Sequence, residues 1–167
     1  MFDKTDAFYF ERTAKLAREC LARGDDGFAA LLVNVDGDIV LEQGNEASTR
    51  KDPTAHDAML LVQKAVQQYS SAQLKDFTVY ALVEPCVMCM GAIFWSGIGN
   101  VKYAMSEAEM NTIIPGNLDI SSKEFAKRSP RLINVTGDFP EIRDAIGTRD
   151  IVKDWVRSLG IPGLPLD

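Results

Sequence analysis

The chain holds a single histidine and three cysteines, and where three of these four residues stand constrains the fold more than any other feature. His56 closes the run Asp52-Pro53-Thr54-Ala55-His56, and Cys86 and Cys89 stand well downstream in Glu84-Pro85-Cys86-Val87-Met88-Cys89. One imidazole and two thiolates supply three of the four positions of tetrahedral zinc and leave the fourth for water. Cysteines at i and i+3 in the first turn of a helix can aim both sulfurs at one point. The positive end of that helix also favours the thiolates that zinc requires. A lone histidine is more often structural, and Cys-x-x-Cys is also the mark of a redox pair. The redox reading predicts a reversible Cys86–Cys89 disulfide and no zinc, and it leaves His56 and its context unexplained. A fold that unites all three residues must set the start of one helix against the start of another.

Hydrophobic periodicity supplies such a fold. Asp6 to Arg23 reads as an amphipathic helix, with Phe10, Thr13, Ala17, Cys20 and Leu21 near one stripe and Gly24 as its stop. Segments 28–35 and 38–42 flank Asp36-Gly37, a dipeptide suited to a two-residue type I′ hairpin. Residues 44–48 read as a loop. Pro53-Thr54 is expected to open a helix running to about Gln68, with Ala58, Leu61, Val62, Ala65 and Val66 facing a sheet. A buried strand over 77–83 follows, and Pro85 stops it and starts a helix from Cys86 to about Ser96. A short strand over 101–104, a weakly patterned stretch from Ser106 to Arg131 with a loop at Pro115-Gly116-Asn117, a strand over 132–135 and a closing helix from Ile142 to Leu159 complete the reading. The expected class is α/β, a three-layer α/β/α sandwich around a mixed five-stranded sheet, in one domain over residues 1–167.

A chain of 167 residues buries roughly 70 % of its unfolded surface without a staple. A hydrophobic share of 46 % and a charged share of 25 % suit a soluble protein, and no stretch approaches the roughly 20 apolar residues of a membrane span. The first six residues are too polar for a signal peptide, so the expected location is cytoplasmic. With two cysteines assigned to metal, Cys20 is expected to be a buried free thiol. A net charge of −6 disfavours a polyanionic partner, because nucleic-acid affinity rests on Lys and Arg neutralising phosphates. A small-molecule substrate is favoured, a nucleic-acid partner is disfavoured, and no membrane partner is expected.

The segments from Phe28 to Ser106, anchored on Asn45, on Asp52-Pro53-Thr54-Ala55-His56 and on 84–93, resemble the cytidine deaminase-like superfamily. Within it the likeness is to the branch of guanine, cytosine and tRNA adenosine deaminases. The resemblance implies zinc on His56, Cys86 and Cys89, a homodimer or larger assembly, and hydrolytic release of ammonia from a ring carbon. It implies that Asn45 hydrogen-bonds the substrate, with loop capping as the alternative, and that Phe28 lines the base pocket or packs in the core. Trp95 resembles a base-stacking or dimer-interface aromatic, and core burial is the alternative. Glu84 could offer its backbone to substrate, with its side chain a rim charge.

One position departs from the pattern: Ala58 stands where the family carries the glutamate that moves protons between water, ring and leaving group. Asp57 is the nearest acid, but it points elsewhere on the helix, is a methylene shorter, and reads as a solvated acid near a helix start. The rest of the site being intact, the expectation is a substitution that disables an otherwise ordinary enzyme rather than a natural chain that has given up catalysis. Chain acidity favours a free base or nucleoside, and Phe94-Trp95-Ser96-Gly97 looks nearest to guanine deaminases. The order of expected substrates is guanine or a related aminopurine, then cytosine-like or triazine bases, then tRNA adenosine. A carboxylate partner for the base amine could come from Glu107, Glu109, Asp119 or the C-terminal segment. The alternative outside enzymes is a zinc protein that binds a base or nucleoside without turning it over.

Overall fold

The computed structural model describes residues 5–162. The first four residues and the last five lie outside the described residues, and with them most of the N-terminus read above and the end of the C-terminal segment. Helix α1 (Asp6–Arg23) is the predicted amphipathic helix, and Gly24 ends it in the left-handed conformation at φ +88°. Strands β1 (Ala29–Val33) and β2 (Ile39–Gly44) form the hairpin, followed by the short helix α2 (Ala47–Arg50) in the expected loop. Then come α3 (Asp57–Gln68), α4 (Ser71–Leu74), β3 (Thr78–Val83), α5 (Val87–Ser96) and β4 (Asn100–Met105). The weakly patterned stretch holds α6 (Glu107–Asn111) and α7 (Ser122–Arg128). β5 (Asn134–Thr136), α8 (Pro140–Ala145) and α9 (Thr148–Ser158) follow.

The five strands form one sheet in the order β2-β1-β3-β4-β5, with β1 antiparallel to both neighbours and β3, β4 and β5 parallel. Alternation along β1 divides the core. Ala30 and Leu32 pack with Leu61, Ala65, Met90 and Ile93 of α3 and α5, while Leu31 and Val33 pack with Tyr9 and Phe10 of α1. Ala29, Leu82 and Met105 meet Ile151, Val152 and Val156 of α9 on the α1 side. The mixed sheet between helical layers agrees with the expected α/β/α sandwich.

Local departures have local causes. The hairpin is wider than a two-residue type I′ turn, because the Asn34 side chain accepts the backbone N–H groups of Asp36 and Asp38 at 3.0 and 2.8 Å, and Gly37 takes φ +78°. The helix expected from Pro53 starts only after His56. The Asp52 carboxylate accepts both the backbone N–H and the hydroxyl of Thr54, holding 52–54 in a turn, and His56 remains extended at φ −68°, ψ 150° as the N-cap. Val66 is half exposed, and Leu60 is buried in its place. Cys86 is likewise an extended N-cap, so α5 begins at Val87. The closing helix is broken at Gly147, whose φ of +70° separates α8 from α9. Leu132 is exposed, and the last strand starts two residues later than its apolar run. Cys20 is a buried free thiol, and its sulfur occupies the space a Cβ on Gly44 would need.

Candidate metal centre and pocket

Register places the site. Ala30 of β1 pairs with Ala81 of β3, so the chain entering β1 lies beside the chain leaving β3. Phe28 therefore meets the Glu84-Pro85-Cys86 corner, at the carboxyl ends of the parallel strands. The N-caps of α3 and α5 bring the predicted ligands together: His56 Nδ1 lies 3.6 Å from Cys86 Sγ and 3.8 Å from Cys89 Sγ, and the sulfurs are 3.7 Å apart. A tetrahedral zinc with Zn–S of about 2.3 Å and Zn–N of about 2.0 Å requires edges of about 3.8 Å between sulfurs and about 3.6 Å between sulfur and nitrogen. The three side chains fit such an ion without rearrangement, and the donor set is the one zinc prefers. Hydrogen bonds from Cys89 and His56 lower the Cys86 thiol to about 4, while the neighbouring sulfur and burial push Cys89 up. The hydrogen bond with Cys86 holds the His56 imidazole above its usual value.

These ligands open into a pocket of about 230 Å³. Ala58 lines it, as do Phe28, Glu84 and Asp57. The Phe28 ring meets Trp155 of α9 edge to face at 4.8 Å, and Trp155 Nε1 donates to Asp26 Oδ1 at 2.8 Å. Asp26, Glu107, Met110, Asn117 and Trp155 complete the mouth and walls opposite the metal ligands. Four carboxylates line the cavity, Asp26, Asp57, Glu84 and Glu107, and among the described residues no Lys or Arg does.

Several expectations change here. Asp57 is not a solvated acid: it stands in the pocket wall, and burial pushes its carboxyl up to about 6. Glu84 is no rim charge. It is 6 % exposed and accepts the backbone N–H of Glu107 at 2.9 Å and of Ser122 at 2.6 Å, tying α6 and α7 to the end of β3. Trp95 does not line the pocket: it is 85 % exposed on the outer face of α5, so neither core burial nor stacking on a base in this cavity describes it. Asn45 is buried beside the pocket rather than in its wall, and its Oδ1 accepts the Ala47 N–H at 2.8 Å, which is the loop-capping alternative. Of the three carboxylates weighed beyond the motif, Glu107 alone lines the cavity. Glu109 is paired with Arg149 and Arg143, and Asp119 lines a larger groove of about 650 Å³ between α5 and α7 that contains no metal ligand. Asp26, Met110, Asn117 and Trp155 were not anticipated. Met110 and Trp155 carried only amphipathic patterning, which marks buried faces but does not say which face reaches a cavity, and Asp26 and Asn117 stand in loops that carry no periodic signal.

Residues 3–105 match the family described as the cytidine and deoxycytidylate deaminase zinc-binding region. The chain belongs to that family. It is 37 % identical over 102 residues to a guanine deaminase of Bacillus subtilis, a match covering 60 % of this chain and 65 % of that protein, which is just under two thirds of its length. It is 28 % identical over 107 residues to a tRNA-specific adenosine deaminase of Aquifex aeolicus, covering 64 % and 70 % of the two chains. The solved guanine deaminase of Nitrosomonas europaea superposes with a TM-score of 0.75 at 21 % identity, covering 93 % of this chain and 86 % of that one, which speaks to the shared fold. The family is one of hydrolytic deaminases acting on C–N bonds, with a zinc-binding region. Among the described residues no helix is long and apolar enough to cross a membrane.

Proposed function

We propose that the protein is a zinc-dependent aminohydrolase of a free nucleobase or nucleoside, with guanine or a related aminopurine favoured and cytosine-like or triazine bases next, and that Ala58 leaves this chain disabled. The observation that carries the reading is the pocket itself: a His-Cys-Cys ligand set at its base, Ala58 in its wall, aromatic edges at its mouth and acidic groups around it, with no Lys or Arg among the described lining residues. His56, Cys86 and Cys89 would hold the zinc, which supplies Lewis-acid activation of water. The chain's own residues do the rest. Phe28 and Trp155 offer ring edges and faces against which a planar base packs. A cavity of about 230 Å³ suits a base better than a folded RNA, and its carboxylates repel phosphate. What is missing is a carboxylate at position 58 able to carry a proton from water to the ring and the departing ammonia, since a methyl group holds none.

The test is ammonia release by Ala58→Glu over guanine, cytosine, adenine, aminotriazines and their nucleosides, with the parent chain alongside. Turnover by the variant alone supports the reading. A zinc-loaded variant inert on the whole panel overturns it in favour of a zinc protein that only binds its ligand. The tRNA adenosine reading keeps the similarity to a tRNA-specific deaminase in its support, and the absence of Lys and Arg from the described pocket lining weighs against it. The proposed assembly is a homodimer, supported by the exposed Trp95 on α5.

A further inference from the structure

Glu84 joins two parts of the molecule that the sequence keeps apart. It precedes the Pro85-Cys86 corner of the metal centre, yet its side chain is spent on backbone groups beyond residues 3–105, the part of the chain that matches the family. Oε2 accepts the N–H of Glu107 at 2.9 Å, and Oε1 accepts that of Ser122 at 2.6 Å. These are the first residues of α6 and α7, and the Ser106 and Ser121 hydroxyls before them accept the N–H groups of Glu109 and Glu124. The Ser122 hydroxyl donates to the Pro85 carbonyl at 3.0 Å. Residues 107–122 are thus a strap with both ends fastened to one buried side chain. Glu107, Met110 and Asn117, all within this strap, line the pocket opposite the metal ligands. An ionised carboxylate offers two acceptors and no donor, whereas a carboxamide of the same shape meets one N–H and turns its own NH2 against the other.

We propose that Glu84 is a positioning residue for the ligand pocket: by holding both ends of the strap it fixes the outer wall against which a bound base is enclosed. Glu84 itself touches no ligand. It acts through Met110 and Asn117, whose places follow from the two fastened helix starts. The assignment rests on the base-deaminase reading above and deepens it by naming what shapes the pocket outside the metal centre. It requires no catalytic turnover.

The experiment pairs amide hydrogen exchange with calorimetric titration of zinc-loaded protein by 2,6-diaminopurine and by cytosine. Two variants release the strap from opposite sides. Glu84→Gln leaves one N–H unmet. Ser122→Pro removes the N–H at the α7 end and leaves Glu84 in place, at a first helical position that suits proline and after a residue already extended at φ −67°, ψ 151°. Each is expected to speed exchange across 107–122 by about tenfold and to weaken binding of whichever base the parent takes by about tenfold, the effect of one buried hydrogen bond lost. Zinc content and exchange in β1 and β3 are expected to stay as in the parent. Arg131→Ala, which loosens the far end of α5, serves as the control for lost stability alone and is expected to keep base affinity within about twofold. Should Glu84→Gln not fold, Ser122→Pro carries the test. A folded, zinc-loaded variant whose strap exchanges at the parental rate overturns the assignment, as does one with a loosened strap and parental affinity, and either result leaves the base-deaminase reading standing. A zinc-loaded parent that binds neither base overturns that reading and the assignment with it.

Discussion

Two buried glutamates at the pocket show how differently the same side chain can be used. Glu84 is fully engaged, accepting the first backbone N–H of α6 and of α7. Glu84→Ala leaves both donors buried and unmet, and the expected loss is about 2 to 4 kcal/mol of unfolding free energy, read by urea denaturation. Glu84→Gln, which keeps an acceptor, is expected to lose less. Glu107 is the opposite case. Burial, reinforced by the charges of Cys86, Glu84 and Asp119, lifts its carboxyl to about 7 against a usual value near 4.5. The folded chain therefore binds this proton more tightly than the unfolded chain, so the stability Glu107 contributes is present below about pH 4.5 and lost as pH rises through about 7. Glu107→Gln should accordingly be more stable than the parent at pH 8 by about 1 to 3 kcal/mol and closely matched to it at pH 4. Equal denaturation midpoints at pH 8 would show that the carboxyl is solvated. A group that destabilises the fold at neutral pH and faces a cavity has the profile of a binding residue rather than a structural one.

At the scale of elements, the site is a meeting of helix ends. His56 and Cys86 are both N-caps, and neither helix start has a side-chain cap hydrogen bond. A zinc ion shared by the two ends would lock α3 to α5, so chelation should be felt as a loss of stability. Saturating zinc at about a hundredfold over its dissociation constant adds about 2.7 kcal/mol, and for a chain of this length that corresponds to a Tm fall of about 5 to 10 °C on removal by EDTA. Cys86→Ser should melt at the same temperature with and without EDTA. The other end of α5 is closed by one residue. Arg131 donates to the carbonyls of Ile93, Phe94, Gly97 and Ile98, satisfying the helix C-terminus from a segment with no regular structure of its own. Arg131→Ala is expected to lose about 1 to 3 kcal/mol and to raise amide exchange in the last turn of α5. The ligand trio and the strands of the mixed sheet were legible because they depend on residue type and on period, which local sequence carries. The exact helix starts were not, because the Asp52 side chain captures Thr54 and delays α3 by a full turn. The pocket's outer wall was not legible either. Trp155 reaches Asp26 across 129 residues of chain, and no local pattern encodes a contact that the packing of α9 against α1 creates.

On the whole molecule, the apolar surface is unevenly spread. Trp95 stands 85 % exposed on α5 beside Phe94, and the neighbouring groove between α5 and α7 is lined by Val87, Ile120, Phe125 and Pro130. Water against a tryptophan and a groove of this kind is unfavourable by about 25 cal/mol per Å² of apolar area, so a partner surface that covers them gains accordingly. An isologous contact through this face would place α5 of one copy against α5 of the other, a few residues from the ligands Cys86 and Cys89. Assembly and metal centre would then share an element, and loosening one should be read in the other. Trp95→Glu puts a charge in the middle of such a contact. The expected result is a shift from dimer to monomer in sedimentation velocity, with zinc content retained and the melting temperature lowered. A parent chain that sediments as a monomer at micromolar concentration, with Trp95→Glu indistinguishable from it, would remove the dimer and leave the pocket chemistry to a single chain. If the dimer is present, the variant also separates two contributions to base binding: a pocket formed wholly by Phe28, Glu107 and Trp155 of one chain keeps its affinity in the monomer, whereas a fall in affinity would mean that the partner's α5 helps to hold the walls in place.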